Sequence, residues 1–371
     1  MLSTQFVRTK TGTGTATSYQ QKQDFDSLFL SLSGLNLTAA TAREDEDPGV
    51  LSSCLFPSAQ HVVFGHSSFF KRNPGYNDLP LPIDIRSEAI RQNAGTHQRV
   101  GAVTHVAIPS IGLLVKYGPA VQISEAKTLL TLRRLLPQDV PVPEVFGWRK
   151  DGNDNFIYMS LPEGVNLAEG WAMLSENQKT DIGGQLRHIV KSWRRLRQNN
   201  STRTKVERID GTPVFDENLN ACPPPSTFPN VAAFHEFFVT TAMESSSTQH
   251  GNRVARSYHF QPNSFFRDDT PVVFTHGNFH PKNILISTGP NPRVVAIMDW
   301  GQAGWYPAYW EFCKARQAAA QGRMASDWES TYLSWILDDE VVGIKQWGGT
   351  ALCHYWDYFV GLLERGSNVG V

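Results

Sequence analysis

The sequence predicts an α+β protein of two lobes, a small strand-and-helix unit followed by a larger and mostly helical one. Three observations predict it. The apolar, β-branched runs Val100 to Ile108 and Leu113 to Tyr117 are split by Pro109, Ser110, Ile111 and Gly112, the signature of a hairpin. Apolar residues recur at helical spacing at Ala126, Leu129, Leu130, Leu132, Leu135 and Leu136, and again from Ile182 to Leu196. After residue 300 aromatic residues are dense, from Trp305, Tyr306, Tyr309 and Trp310 to Trp347 and Tyr355, which points to a helical lobe with a large apolar core.

Residues 1–60 are rich in Ser, Thr, Gly and Gln, with an acidic run at Glu44 to Asp47, and read as a poorly ordered N-terminal arm. TGTGTAT at 11–17 lacks the closing Gly-Lys-Ser/Thr of a phosphate loop and reads as a linker. Residues 61–161 form the expected N-terminal lobe: the hairpin, a helix with Ser124 as N-cap, an extended PVPEV segment, and a strand from Phe156 to Leu161 ended by Pro162 and Gly164. Residues 162–371 form the expected C-terminal lobe. It begins with a helix from Ser175 to about Arg197, opened by a Ser175/Gln178 capping box. The polar, proline-rich stretch 198–229, with CPPPS at its centre, reads as a long loop.

With 371 residues the chain is long enough for more than one core. Lysine plus arginine number 34 against 35 aspartate plus glutamate, so no global field recruits nucleic acid or a membrane, and a charged ligand must be read by a local site. Cys54, Cys222, Cys313 and Cys353 are far apart and form no C-x-x-C pair; the expectation is buried free thiols. No stretch resembles a signal peptide or a membrane span, so the expected location is the cytoplasm.

The most informative segment is FTHGNFHPKNILI at 274–286, followed after a Ser-Thr-Gly-Pro-Asn-Pro turn by RVVAIMDWGQAGWYPAYWE at 293–311. Two short apolar strands flank a tight turn here. The loop before the first strand and Asp299 at the end of the second are therefore expected side by side, gathering His276, Asn278, His280 and Asn283 near Asp299.

These residues resemble the aminoglycoside phosphotransferase and choline kinase-like family, in particular a fungal-type subgroup reading H-G-D-L-H-P-x-N and then I-x-D-W-E-x-A-G-W-Y-P. The resemblance runs over roughly residues 95–365 and includes Lys116 in LLVKYG, Glu125 in SEAKTLL and the hinge IYMSLPEG with Ser160. It implies a protein kinase-like fold, ATP and Mg2+ as cofactors, and a small-molecule substrate. By the same resemblance, Lys116 pairs with the α- and β-phosphates and is held by Glu125, Ser160 lies in the nucleotide hinge, and Asn283 and Asp299 bind magnesium. His280 is expected to donate to the γ-phosphate or to stabilise its loop.

The chain departs from that pattern where the family's catalytic aspartate is replaced by Asn278, which cannot accept a proton. A positioned base contributes about 10²- to 10⁴-fold, so the expectation is a slow ATP-dependent kinase of an alcohol-bearing metabolite. The alternative is a pseudokinase that binds a nucleotide or another ligand. No A-P-E segment follows Asp299-Trp300-Gly301, which disfavours a protein kinase. For a cationic substrate the C-terminal carboxylates Glu311, Asp327, Glu329, Asp338, Asp339 and Glu340 are candidates, although acidic faces are usually only solvated.

Overall fold

The computed structural model describes residues 50–51, 56–92, 103–198, 204–220, 222–245, 266–321, 328–347 and 350–367. The chain divides into two compact units, 1–47 and 48–371, and every described residue belongs to the second. The expected N-terminal arm and Cys54 lie outside the described residues, apart from 50–51 and 56–60.

The centre of the first lobe is a five-stranded antiparallel sheet of β1 (His61–Val63), β2 (Thr104–Ile108), β3 (Leu113–Gly118), β4 (Val145–Asp151) and β5 (Asp154–Ser160), in the order β1-β4-β5-β3-β2. β3 is enclosed on both faces, which is why LLVKYG reads as a nearly continuous apolar run with Lys116 its one charge. The short helix α1 (Ser68–Arg72) and α2 (Pro82–Gln92) complete this core. Phe69, Leu79 and Ile85 pack on Val106, Val115, Phe146 and Tyr158. α3 (Ile123–Leu135) follows β3 and buries Ala126, Leu129 and Leu132.

The hairpin is present, with Gly112 at φ 62° closing a 3₁₀ turn over Pro109–Ile111. The N-cap of α3 is Gln122 and not Ser124. The Ser124 hydroxyl instead donates to Asp210, a partner 86 residues away that no local rule reveals. β1, α1, α2 and β4 have no counterpart in the sequence reading. β4 follows directly after the prolines of PVPEV, which conceal its start.

β6 (Val165–Asn166) opens the second lobe, followed by α4 (Glu176–Trp193) with its reciprocal Ser175/Gln178 capping box. α5 (Val231–Ser245), β7 (Val272–Thr275), β8 (Ile284–Ile286), β9 (Val294–Ile297), β10 (Gly304–Pro307), α6 (Trp310–Gln321), α7 (Asp338–Trp347) and α8 (Thr350–Ser367) follow. β9, β8 and β6 form one small sheet, and β10 pairs with β7. The lobe is helical apart from these short ladders. Its core is aromatic: Trp310 meets Phe234 and Phe238 of α5 and Trp356 of α8 edge-on, with ring centroids 5.1–5.6 Å apart. Such geometry adds about 0.5–1.5 kcal/mol per pair to the area buried.

Cys313 is buried as a free thiol, while Cys222 and Cys353 are only half-buried, so the expectation of buried thiols holds for one of the three described. Among the described residues no helix is long and apolar enough to cross a membrane.

Candidate functional site

The site is built from two strand ends and two loops. The pair β8 and β9, in antiparallel register from Ile284 opposite Ile297, sets the preceding loop 276–283 against the following residues 298–302. Within the loop the turns are held by short-range bonds. The amide of Asn278 donates to His276 Nδ1 at 3.0 Å, that of Lys282 to His280 Nδ1 at 3.0 Å, and Asn283 Nδ2 to the Asn278 carbonyl at 2.9 Å. His276 Nε2 is 2.9 Å from the Met298 carbonyl, so the ring is the neutral Nε2–H tautomer. Burial lowers its pKa to about 4, with the Met298 carbonyl opposing. Gly277, at φ 75°, passes so close to the Gln302 carbonyl that an added Cβ would lie 2.5 Å from it.

Asp299 is the one non-glycine residue with positive φ among the described residues, at φ 62° and ψ 59°. That conformation costs about 1 kcal/mol or more and is kept where the surroundings demand it. Here it turns the carboxylate to Lys116 on one side and to the Asn278 amide on the other. Lys116 Nζ also lies 2.7 Å from Glu125 Oε2. Lys116 and Glu125 are 5 % and 2 % exposed, so this is a buried charge chain crossing from β3 to α3 and to the segment 298–302.

Burial alone would lower the Lys116 pKa, but the two carboxylates outweigh it and the pKa is raised, so the ammonium stays charged. For Glu125 burial dominates and the pKa is raised in spite of Lys116. For Asp299 burial pushes upward, Lys116 overrides it, and the pKa is lowered. The acid that keeps its charge at low pH is therefore Asp299.

A cleft of about 230 Å³ opens at this chain, lined by Lys116, Glu125, Asn278, Asp299, Gly301 and Gln302 from the expected motifs. It also takes His105, opposite Lys116 in the β2–β3 register, and Phe215, Glu217 and Asn220. Asn283 is not among the residues lining the cleft; its Nδ2 is bonded to the backbone carbonyl of Asn278, which is. His280 is 9 % exposed, with Nδ1 committed to its own turn. Ser160 is not in the cleft. Its β3 partner is Leu113, three positions from Lys116 or about 10 Å along the strand, and its hydroxyl accepts from the Glu144 amide at 2.9 Å.

Several functional neighbours escaped the sequence reading. Glu311, counted among possible substrate carboxylates, is fully buried and accepts from the amides of His276 at 2.6 Å and Gly277 at 3.0 Å. It holds the loop 276–283 from the start of α6. Asp338 and Asp339 likewise face α4, where Asp338 pairs with Arg187 and both lie 3.4 Å from Lys191.

Residues 204–220, inside the expected long loop, form a strap that contacts both lobes. Asp210 accepts from Ser124 and, at 2.8 Å, from Lys127 on α3. Asp216 is fully buried, 2.8 Å from Lys314 and 2.9 Å from Trp310 Nε1. The Glu217 amide donates to Gln302 Oε1, which also accepts from Lys314. No signal in the sequence marks these partners, which lie 83–98 residues from the strap residues they hold.

The solved structures similar to this chain include an aminoglycoside-3'-phosphotransferase of type VIII, 16 % identical over 76 % of this chain and 98 % of that one, with a TM-score of 0.44. Another is a thermostable mutant of the aminoglycoside phosphotransferase APH(4)-Ia in ternary complex with ADP and hygromycin B, 12 % identical over 76 % and 90 %, at 0.42. A third is APH(3'')-Id from Streptomyces rimosus, 14 % identical over 78 % and 99 %, at 0.41. No curated protein matches the sequence significantly. A family model does match, over residues 120–334, a span that takes in Glu125, Asn278, Asn283 and Asp299 and begins four residues after Lys116. That span is more than half of the chain, and the chain belongs to the phosphotransferase enzyme family.

Proposed function

We propose that the protein is an ATP-dependent O-phosphotransferase acting on the alcohol group of a small metabolite, and that it works slowly because Asn278 stands at the position of the base. The observation that carries this reading is the chain Glu125–Lys116–Asp299–Asn278 in one cleft. A buried, permanently charged lysine beside a hard carboxylate suits a polyphosphate. The N-terminal lobe takes the nucleotide, with Ser160 in the segment facing the base. The C-terminal lobe supplies the catalytic loop, the metal ligands and the acceptor pocket.

The donor set fits magnesium. No cluster of three or more His, Cys, Asp or Glu residues suited to a metal occurs among the described residues, so the protein offers one carboxylate, Asp299, and the Asn283 amide oxygen, whose Nδ2 is already committed to Asn278. Magnesium characteristically takes one or two protein oxygens and completes its shell with phosphate and water. When bound it would neutralise charge on the transferring phosphoryl group. Lys116 orients the α- and β-phosphates, Asn278 orients the acceptor hydroxyl without accepting its proton, and His280, whose Nδ1 accepts within the loop, donates to the γ-phosphate or stabilises the loop.

A second reading rests on Asn278 as well. Its amide donates to Asp299, a contact that the usual aspartate would turn into repulsion, and this suits a pseudokinase that holds nucleotide without transferring it.

ATP turnover with and without magnesium, in wild type, Asn278→Asp and Asp299→Ala, tests the proposal. The expected result is a low wild-type rate, raised about 10²- to 10⁴-fold by Asn278→Asp and removed by Asp299→Ala. Nucleotide binding with no turnover in wild type or Asn278→Asp would favour the pseudokinase; no binding would overturn both readings.

A further inference from the structure

α6 and α8 pack along a seam in the C-terminal core. On that seam the sulfurs of Cys313 and Cys353 stand 3.7 Å apart, with the Cys313 thiol donating to Cys353 Sγ. Cys313 is fully buried, whereas Cys353 is half-buried. Three and four residues further along the two helices, Arg316 pairs with Asp357. The two thiols are therefore inequivalent. The hydrogen bond from Cys313, with help from Arg316, lowers the Cys353 pKa against its burial, while burial and Cys353 itself push Cys313 well up. One sulfur belongs to a half-buried thiol and the other to a fully buried thiol in contact with it.

We propose that Cys313 and Cys353 form a modification site at which a peroxide installs a reversible intramolecular disulfide. The Cys353 thiolate attacks one peroxide oxygen and breaks the O–O bond. The departing hydroxide takes a proton to leave as water, and Cys353 becomes a sulfenic acid. Cys313 loses its proton and attacks the sulfenic sulfur, which expels a second water as the S–S bond forms. Two thiols and one hydrogen peroxide thus give one disulfide and two waters. Contracting 3.7 Å to a bond of about 2.05 Å asks for about 1.7 Å of approach, within reach of side-chain rotation and a small helix shift. The bond would pin α6, which carries Glu311 and Lys314, to α8.

The test uses the full chain treated with hydrogen peroxide, and is independent of any nucleotide or substrate. Peptide mass spectrometry without reductant is expected to show Cys313 linked to Cys353, short of two hydrogens. A thiol reagent should count two fewer thiols, both returned by dithiothreitol. In Cys313→Ser the reaction should stop at Cys353 sulfenic acid, trapped by dimedone; in Cys353→Ser, Cys313 should stay unmodified at the same dose. Conversion of wild-type Cys353 to sulfinic acid with no cross-link would overturn the proposal, as would a disulfide from either residue to Cys54 or Cys222. Equal reactivity of Cys313 in Cys353→Ser would overturn the assigned order of attack.

Discussion

The segment 276–302 and the strap, residues 204–220, line the same cleft but are held in different ways. In the loop 276–283 the side chains cap turns formed within five residues of themselves: His276 with Asn278, His280 with Lys282, Asn283 with Asn278. The strap has local turns as well, Asp210 with Thr212 and Asp216 with Asn218, but it is tied to the two lobes by partners more than 80 residues away, through two carboxylates that are nearly or fully buried. A motif records the first kind of wall, because its geometry is local. The second depends on which distant residues complete each buried charge.

The sharpest test of that contrast removes a strap anchor. Asp216→Ala leaves Lys314 charged and 4 % exposed with no full partner, and should cost about 3–5 kcal/mol in denaturant unfolding. An apolar pair, Asp216→Leu with Lys314→Met, should recover most of that loss. If the single substitution were neutral, the strap would not be anchored at this end.

Acid should probe the loop side. His276 is held neutral, with a folded pKa of about 4 against an ordinary 6.5. The unfolded chain binds its proton below pH 6.5 and the native chain does not until about pH 4. The stability from the neutral ring is therefore whole above pH 6.5 and falls by about 3 kcal/mol as pH drops to 4. Unfolding free energy measured across that window should be less steep in His276→Gln.

Smaller effects refine the comparison. Gly277→Ala, which sets a Cβ 2.5 Å from the Gln302 carbonyl at positive φ, should destabilise by about 2–3 kcal/mol. Asp210→Ala should cost only about 1–2 kcal/mol, because Lys127 is 19 % exposed and can turn to water where Lys314 cannot. Hydrogen exchange should then rise in α3 and not in α6.

How much was legible follows the same division. The β2–β3 hairpin and the Ser175/Gln178 cap of α4 rest on spacings of a few residues, and the meeting of the 276–283 loop with Asp299, 21 residues after Asn278, rests on one short hairpin; the sequence carries all three. β4 was hidden behind Pro141 and Pro143. The tasks of Ser124, Glu311 and Asp338 were misread because each is defined by its partner: Asp210, the His276–Gly277 amides, and Arg187. Alone, each looks like a cap or a solvated charge. Ser160 was carried in by its motif, yet the register places it well along the strand from Lys116.

The account stands on the buried chain from Glu125 through Lys116 to Asp299 as a polyphosphate site, and calorimetric titration of the full chain with ATP tests it most directly. Wild type should bind one nucleotide, more tightly with magnesium; Lys116→Met, verified as folded by circular dichroism, should lose that binding, and Asp299→Asn should lose the magnesium dependence. Undiminished binding by Lys116→Met, or no binding by wild type with magnesium present, would contradict it.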